Sequence, residues 1–338
     1  MEIKILGRKD LEKILEMPKV IEGVRAVYQL KSKGDTVVWP LIEHHFEEKE
    51  AVMDIRSGGV FGSIGLHGLK MLNKFPHNAD SGLPVFTGML MVSDSNTGLP
   101  LGVMDASYIT CMRTGAAGAI GAKALARPDS QVLCVLGAGT QSIFQIAAAL
   151  ICFPDLKEVL VADPLQPENA RRFVSDCRGR LATSFGIDCP QTNFAPVEDL
   201  AQAVGRSDIV ITITPAREPV IRKEWVKPGT HFSCIGADMA GKEEIDPQLF
   251  SGARIYADDI DQCLSVGEME LPFKNGVIGR EDVIGEIGQV LSGAVSGRQS
   301  ADDITIFDAT GLALLDLVTA KSAIDLAEEK KLGIAVEI

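Results

Sequence analysis

Residues 132–142 constrain the fold more strongly than any other stretch of this sequence. Val132–Leu136 is a run of five apolar residues, which is typical of a strand buried on both faces of a sheet. Gly137 and Gly139 follow, and a run without charged residues then predicts a helix from Ser142. This order predicts a phosphate cradle, in which the first glycine allows a tight turn and the second lets the backbone approach a pyrophosphate. Ser142 occupies the third position of the fingerprint, where glycine is usual.

The next strand places an acidic residue where a dinucleotide would need one. Asp163 ends a second apolar run, Val159–Ala162, at the point where a carboxylate would bind the adenine ribose hydroxyls. Pro164 follows directly, so we expect NAD(H) in preference to NADP(H), although Arg171 and Arg172 lie on the next predicted helix. The structural alternative is an ordinary βαβ unit in which the aspartate caps a helix. The residues that we assign to the cofactor site are Gly137, Ala138, Gly139, Thr140, Gln141, Asp163, Thr114 and Thr214.

Composition excludes several classes of function. The 338 residues predict two domains, because a single hydrophobic core seldom grows to that size. The formal net charge of −13 argues against a nucleic acid or an anionic membrane as a partner. Seven scattered cysteines without a C-x-x-C pair predict a reducing compartment, and neither a disulfide framework nor a zinc site. With no signal-like segment and no apolar run long enough to cross a bilayer, we expect a cytoplasmic protein without a bound metal.

The first 105 residues predict a mixed α+β domain built on antiparallel strands. The predicted elements are a strand at 2–6, a helical segment at 8–31, a strand at 36–40, and a hairpin formed by 84–92 and 100–104. Between them Ser57–Gly62 is rich in glycine, and we interpret Arg56–Gly65 as a long loop.

After this domain the pattern changes to helices and parallel strands. Residues 107–126 predict a long helix whose glycine and alanine side chains let another backbone pack closely. The strands expected after it lie at 132–136, 159–162, 191–194, 208–213, 231–235 and 254–257. Helical patterns between the early strands predict a doubly wound parallel sheet. A strand at 304–307 and a helix at 312–330 come last.

Four polar residues stand in surroundings that do not obviously require them: Lys70, Arg113, Asp238 and Asp54. Asp238 follows a predicted strand, at the carboxyl end where open α/β sheets bind their ligands. Each residue also has an ordinary structural interpretation: a solvated lysine, an arginine paired with a helix end, or an aspartate that caps a turn.

The sequence resembles the ornithine cyclodeaminase/mu-crystallin family over almost its whole length. The matching segments are Gly68-Leu69-Lys70 with Asn73, Pro76 and Asn78; Gly82-Leu83-Pro84; Asp94 with Thr97-Gly98-Leu99-Pro100; Met104-Asp105; Thr110–Ala116; Leu136–Gln141; Asp208-Ile209-Val210; Ile235–Asp238; and Gly311-Leu312-Ala313 with Asp316. The resemblance implies that both chain ends, 1–115 and 304–338, form a substrate-binding and dimerisation domain. A Rossmann-type NAD-binding domain, 116–303, would be inserted between them, and members of the family are dimers or larger.

The resemblance also implies roles for the polar residues. Lys70 and Arg113 would bind the substrate carboxylate, Asp238 would be the catalytic acid/base, and Lys70 would lie at the reacting centre as well. Hydride leaves the α-carbon of an amino acid only when the nitrogen lone pair is free to form the imine, so the ammonium must first lose a proton. We therefore expect the three side chains and the nicotinamide to meet in one cleft.

Two departures from the family concern substrate recognition. The family's further arginine, on the strand after the first helix, is absent from Pro40–Phe46, which leaves Arg56 or His44 as a substitute. Asp54 lies near the glutamate that binds the terminal amine in ornithine cyclodeaminases and is one methylene shorter. We include Asp54 and Arg56 among the substrate-binding residues.

The leading hypothesis is an NAD(H)-dependent oxidoreductase that acts on the Cα–N bond of an α-amino acid or its imine. Ornithine cyclodeamination, an amino-acid dehydrogenase reaction and imine reduction all stay open within it. The alternative class is a mu-crystallin-like protein that binds NAD(P)H or another ligand without turnover. The presence of Lys70, Arg113 and Asp238 counts against that alternative.

Overall fold

The computed structural model describes residues 2–337 and divides the chain into two compact units. The first unit contains the residues up to Arg113 and those from Leu312 onward, and the second is Thr114–Gly311. The second unit is therefore inserted between two chain ends that fold together. We expected the unit boundaries at 115/116 and 303/304, whereas the structure has them at 113/114 and 311/312.

The two units are built from the following elements. The helices are α1 (Arg8–Ile14), α2 (Met17–Ser32), α3 (Ala106–Leu125), α4 (Ser142–Cys152), α5 (Pro167–Phe185), α6 (Leu200–Arg206), α7 (Ile260–Val266), α8 (Glu270–Lys274), α9 (Ile287–Leu291) and α10 (Ala313–Lys330). The strands are β1 (Glu2–Leu6), β2 (Thr36–Val38), β3 (Ile42–Phe46), β4 (Ala51–Val60), β5 (Leu66–Lys74), β6 (Phe86–Asp94), β7 (Pro100–Asp105), β8 (Val132–Leu136), β9 (Glu158–Ala162), β10 (Asn193–Pro196), β11 (Ile209–Thr212), β12 (Arg217–Ile221), β13 (His231–Cys234), β14 (Glu243–Ile245), β15 (Arg254–Ala257), β16 (Val283–Glu286), β17 (Thr305–Asp308) and β18 (Ile334–Glu337).

The first unit is a mixed sheet covered by helices. Its strand order is β18-β1-β7-β6-β5-β4-β2, with β3 also paired to β4. Most neighbours are antiparallel, including the predicted hairpin of β6 and β7, and β1 runs parallel to β7. The register places Arg56 opposite Lys70, and Lys70 opposite Leu90. These three side chains therefore share one face of the sheet, and α10 packs against β4 and β5.

The interpretation of Arg56–Gly65 as a long loop is wrong. Residues Ala51–Val60 form β4, and only residues 61–65 connect it to β5. A Cβ atom at Gly58 would lie 2.5 Å from the carbonyl oxygen of Val37 and 3.3 Å from Leu314 Cδ2. Glycine is needed here because a neighbouring strand and α10 approach the backbone closely, not because the chain turns.

The second unit is a parallel sheet with strand order β10-β9-β8-β11-β13-β17-β15-β16. Every neighbouring pair in it is parallel. The chain leaves β8 in one direction towards β9 and later returns to its other side at β11, which makes the carboxyl end of β8 the topological switch point. Placing the 304–307 strand with the first unit was wrong, because β17 pairs with β13 and β15 inside this sheet.

The predicted close packing against the small-residue helix is confirmed within the second unit. A Cβ atom at Gly115 would lie 2.5 Å from the carbonyl oxygen of Phe144 on α4. A Cβ atom at Gly121 would overlap the ring of Phe307 on β17. These glycines let α3 lie directly against its neighbours, so their role is packing. Within residues 2–337, no helix is long and apolar enough to span a membrane.

Candidate active site

Three cationic side chains of the first unit gather around one buried carboxylate. Lys70 Nζ donates a hydrogen bond to Asp316 Oδ2 at 2.8 Å, and Arg113 Nε donates to Asp316 Oδ1 at 3.1 Å. Lys70 and Asp316 are fully buried, and Arg113 is 6% exposed. Arg56 is 7% exposed, and its positive charge acts on both Lys70 and Asp316. We name Arg56, Lys70, Arg113 and Asp316 the cationic cluster.

The cluster forms where four elements of the first unit meet. Alternate residues of β5, which include Leu66 and Leu72, point into the core, and Lys70 falls in the same phase. A buried lysine needs a partner, and α10 supplies Asp316 from an otherwise apolar stretch. Arg113 comes from α3, and Arg56 comes from β4. The lysine is therefore paired with Asp316, a residue far from it in sequence.

Burial and charge set the protonation states in the cluster. Burial lowers the pKa of Lys70 to about 8, the charge of Arg113 lowers it too, and Asp316 opposes them. Burial raises the pKa of the Asp316 carboxyl, but Arg113 and Lys70 outweigh it and leave that pKa below its usual value. Asp316 is thus ionised at neutral pH, and Lys70 is mostly protonated. Three cations exceed the buried carboxylate in charge, which suits the cluster to binding an anion such as a carboxylate.

The two substitutes considered for the missing arginine lie in different places. Arg56 stands on the inner face of β4, opposite Lys70. His44 lies on β3, where it is exposed and its ring contacts Phe46 edge-on with centroids 4.8 Å apart. Asp54 Oδ2 lies 3.7 Å from Arg56 Nε. Arg56 therefore belongs to the cationic cluster, with Asp54 beside it, and His44 does not.

The glycine turn of the second unit has the geometry of a phosphate cradle. Gly137 has φ 122°, which favours glycine, and its N–H donates to the carbonyl of Ala162 at 2.7 Å. Ser142 is buried, and its hydroxyl donates to the carbonyl of Gly137 at 2.7 Å. A Cβ atom at Gly139 would meet nothing within 4 Å. The protein's own packing therefore does not require glycine at 139, whereas the close approach of a pyrophosphate would.

The start of α4 also fits an anionic ligand. Its N-cap residue Gln141 makes no side-chain capping hydrogen bond, and its first turn holds no acidic residue. A helix start of this kind attracts phosphate through its N–H groups and dipole. Ala138 and Thr140 lie in the same turn.

Asp163 makes the capping contacts expected from its structural interpretation. Its Oδ1 accepts from the N–H of Gln166 at 3.0 Å, and its Oδ2 accepts from Asn169 Nδ2 at 3.0 Å. Arg172 donates to Asn169 Oδ1 at 2.7 Å, and Arg171 bonds Glu198 and Glu168. Each carboxylate oxygen has a second lone pair, so these contacts leave room for ribose hydroxyls.

The remaining residues predicted for the second unit lie on α3 and after two neighbouring strands. The carbonyl of Thr114 accepts from Gln145 Nε2 at 3.0 Å. Thr214 follows β11, and its N–H donates to Glu244 Oε1 at 2.6 Å. Asp238 follows β13, and its Oδ1 accepts from Lys242 Nζ at 2.6 Å. Because adjacent parallel strands end at the same sheet edge, the segments that carry Thr214 and Asp238 leave the sheet side by side.

Sequence reasoning left several of these residues without a role. Asp316 belongs to a segment that matches the family. A single acidic residue among Leu314, Leu315, Leu317 and Val318 could have indicated a buried partner for a cation. Lys242 and Glu244 gave no signal that spacing alone could single out.

Among residues 2–337, no group of three or more His, Cys, Asp or Glu side chains is arranged to hold a metal. The expected meeting of Asp238 with Lys70 and Arg113 in one cleft stays a prediction.

Replacing Asp316 by asparagine should destabilise the protein by about 3–5 kcal/mol, because the change leaves buried cations without their counter-charge. The pKa of Lys70 should fall below its value of about 8, since Asp316 raises it. The variant should therefore regain stability relative to the wild type as the pH rises from 6 towards 8, because over this range Lys70 loses its proton in the folded variant while it stays mostly protonated in the wild type up to neutral pH. Urea unfolding from pH 6 to pH 9 measures both effects.

Asp325→Asn is the matched control, because Asp325 lies on the same helix in an exposed pair with Lys321. Its loss should cost less than about 1 kcal/mol at every pH. Equal stability of the two variants would contradict the role given to Asp316.

Comparison with known proteins identifies relatives that match almost the whole chain. The model of the ornithine cyclodeaminase/mu-crystallin family matches residues 1–331. Alanine dehydrogenase of Archaeoglobus fulgidus is 39% identical over 333 residues, which are 98% of this chain and 98% of that protein. A solved archaeal alanine dehydrogenase dimer with bound NAD has a TM-score of 0.90 at 38% identity, covering 100% of both chains.

A second solved structure is the Δ1-pyrroline-2-carboxylate reductase of Thermococcus litoralis in complex with NADH and L-proline. It has a TM-score of 0.91 at 30% identity and covers 99% of this chain and 100% of its own. These structures confirm the Rossmann-type α/β fold class expected from the sequence. The family match over almost all residues agrees with the resemblance read from the motifs, and the chain belongs to the ornithine cyclodeaminase/mu-crystallin family.

Proposed function

We propose that this protein is an NAD(H)-dependent oxidoreductase that acts on the Cα–N bond of an α-amino acid or of the matching imino acid. The observation that carries the proposal is the cationic cluster, in which Lys70, Arg113 and Arg56 outnumber the buried carboxylate between them. An α-carboxylate is the anion that all such substrates share. Relatives named alanine dehydrogenase and Δ1-pyrroline-2-carboxylate reductase support this substrate class.

The cluster's role is to hold and orient the substrate. A guanidinium forms paired hydrogen bonds with a carboxylate, and the lysine ammonium adds a point charge. Asp316 holds Lys70 and Arg113 by its two oxygens, so neither cation needs to reorganise when substrate binds. We assign Arg56 the place of the family's missing arginine, because it faces Lys70 across the strand pair.

Asp238 is the proposed acid/base. Its carboxylate would take a proton from the substrate ammonium, which frees the nitrogen lone pair to form the imine. In the reverse direction the protonated carboxyl would return that proton to the nitrogen. The proposal requires Asp238 and the cationic cluster to act on the same substrate molecule.

NAD(H) is the proposed cofactor, and the glycine turn is its proposed phosphate site. Gly137–Gln141 and the start of α4 would hold the pyrophosphate, Asp163 the adenine ribose, and Thr114 and Thr214 further parts of the dinucleotide. The bound dinucleotide supplies hydride acceptance from the α-carbon, or hydride donation to it. NAD in one related structure and NADH in another support this assignment.

We favour net oxidation or reduction over ornithine cyclodeamination. Asp54 is the candidate for a terminal-amine ligand, but it lies 3.7 Å from the Arg56 guanidinium, which already offsets its charge. The terminal ammonium of ornithine would therefore meet an Asp54 carboxylate whose charge Arg56 already offsets in part. The relatives named above are a dehydrogenase and a reductase, which agrees with this preference.

The wild-type protein should reduce NAD⁺ with a small α-amino acid, and should oxidise NADH with a 2-oxo acid plus ammonium or with a cyclic imino acid. Asp238→Asn should lower kcat by about 10²-fold or more, because it removes the proton acceptor. NADH should still bind to the variant within about threefold of the wild-type Kd. Absorbance at the NADH band measures turnover, and NADH fluorescence measures binding.

Asp261→Asn serves as the control, because Asp261 is an exposed carboxylate of the same unit paired with Arg280. Normal turnover by Asp238→Asn would show that the acid/base assignment is wrong. Ammonia release from ornithine without a net NADH change would show cyclodeamination instead. Tight NADH binding without turnover of any substrate would favour the ligand-binding alternative.

Gly139→Ala should raise the Kd for NADH by about tenfold or more without changing the melting temperature. The new methyl group meets only open space in the protein, yet it would stand where the pyrophosphate approaches. Gly179→Ala on the exposed face of α5 is the matched control, since its Cβ also meets nothing within 4 Å. Titration with NADPH should give a weaker Kd than NADH in the wild type. Unchanged NADH binding in Gly139→Ala would rule out this turn as the phosphate site.

We also propose that the protein forms homodimers through the outer face of the first unit's sheet. Ile55, Met71 and Met89 stand opposite one another across β4, β5 and β6, on the face away from the cationic cluster. Met89 is 55% exposed, and Met91 on the same face is 40% exposed. An exposed apolar patch of this kind is typical of a subunit interface, and the related alanine dehydrogenase structure is a dimer.

Met89→Lys combined with Met91→Lys should convert the dimer to a monomer, because two charges would have to be buried in the interface. Light scattering after gel filtration measures the mass. Leu165→Lys changes an apolar side chain of the second unit that is 91% exposed, and it should leave the mass unchanged. A double variant that stays dimeric would place the interface elsewhere.

The cysteines support a cytoplasmic location, which we propose. All seven are free thiols. Burial raises the pKa of the Cys134 and Cys177 thiols to about 12, so both are protonated and inert at neutral pH. Unpaired thiols are typical of proteins kept in a reducing compartment.

A further inference from the structure

The loop after β13 is held at several points by charged side chains. Glu244 Oε2 accepts from the N–H of Gly236 at 3.1 Å, at the start of the loop. Glu270 Oε2 accepts from the N–H of Gly241 at 2.7 Å, near its end. Arg217 Nη1 donates to the carbonyl of Ala240 at 3.2 Å. We name residues 236–242 the acid loop, because Asp238 lies within it.

Glu244 joins the acid loop to the neighbouring segment. Its Oε1 accepts from the N–H of Thr214 after β11, while its Oε2 accepts from Gly236 after β13. A side chain on residue 236 would overlap this carboxylate, so glycine is required there. The backbone at the start of the acid loop is thus fixed relative to the segment that carries Thr214.

Within this frame Lys242 contacts Asp238 directly. Lys242 Nζ donates to Asp238 Oδ1 at 2.6 Å and to the carbonyl of Gly236 at 3.2 Å. The Lys242 side chain is only 12% exposed, whereas that of Asp238 is 42% exposed. The ammonium is therefore anchored inside the loop and meets the carboxylate at the surface. This differs from an ordinary surface pair, in which two flexible side chains lose entropy to meet.

We propose that Lys242 is the positioning residue of the acid/base. Its ammonium holds Oδ1 of Asp238 and stabilises the ionised carboxylate, so that Asp238 is ready to accept a proton from the substrate ammonium. When the carboxyl is protonated, the same cation favours its return to the ionised form and thus proton donation to the imine-derived nitrogen. This inference rests on the proposed function, because it assigns Lys242 a role through Asp238.

Other ionisable side chains bond the backbone of the acid loop. Arg217 bonds a backbone carbonyl, and both Glu244 and Glu270 accept from backbone N–H groups. Their bonds set the path of the loop. The contact from Lys242, in contrast, places a positive charge on the Asp238 carboxylate itself.

The experiment compares Lys242→Met and Lys242→Arg in the full-length protein saturated with NADH or NAD⁺. Lys242→Met should lower kcat by about tenfold or more at neutral pH, because the Asp238 carboxylate is no longer held in place. It should also move the acidic limb of the kcat/KM profile up by about one pH unit or more, because the carboxylate loses its cation. Lys242→Arg should restore most of the limb's position. The NADH Kd should stay within about twofold of the wild type. Lys223→Met is the control, because Lys223 Nζ donates only to the carbonyl of Gln248 in the same unit.

A second measurement separates this inference from the proposed function. Carboxyl ¹³C NMR of aspartate-labelled protein, with the Asp238 signal assigned through Asp238→Asn, follows the titration of that carboxyl without any substrate. A higher midpoint in Lys242→Met together with the shifted limb supports the inference. The inference is overturned if the titration midpoint of Asp238 is the same in Lys242→Met as in the wild type. It is also overturned if that midpoint moves while the acidic limb of the kcat/KM profile stays in place. If the wild type turns over no amino or imino acid, the proposed function fails, and the titration still decides whether Lys242 controls Asp238.

Discussion

The buried contact of Asp316 with Lys70 and Arg113 is the constraint on which the first unit depends. A fully buried lysine and a fully buried aspartate are each costly alone, and together they are tolerable only with close geometry and further hydrogen bonds. Asp316 meets that condition by giving one oxygen to each cation. Because Asp316 comes from α10, this helix must pack on the sheet of the first unit before the cations are stabilised. The insertion of the second unit between the two chain ends does not prevent this, since both ends belong to one compact unit.

The same contact explains why the cationic cluster stays charged although it is buried. Burial lowers the pKa of Lys70, and the charge of Arg113 acts in the same direction. Asp316 opposes both effects and keeps the pKa near 8, so that the ammonium persists at neutral pH. The cluster therefore holds an excess of positive charge on a rigid framework of strands and helices. Such preorganisation is what an anionic substrate needs, because the site pays no cost of reorganisation when the substrate arrives.

Glycine has two physical roles in this protein, and the structure distinguishes them. At Gly58 and Gly115 a Cβ atom would lie 2.5 Å from a backbone oxygen, so close packing of the protein requires the glycine. At Gly139 a Cβ atom would meet nothing within 4 Å, so the packing of the protein itself sets no requirement for glycine there. Both kinds look alike in a sequence. This is why the glycine-rich segment Ser57–Gly62 suggested a loop, although most of it lies in β4.

The sequence by itself determined the features that depend on local patterns. The apolar run at Val132–Leu136 and the turn at Gly137 predicted the strand, the turn and the helix that follow, because periodicity and glycine spacing act over a few residues. Only the tertiary structure decided which distant residues meet. Pairing across a sheet places Arg56 opposite Lys70, and it inserts Thr305–Asp308 between β13 and β15. Alternation along a strand shows which face of the sheet a residue lies on, but it does not show which strand or helix covers that face. The sequence therefore did not reveal that Asp316 on α10 is the partner of Lys70.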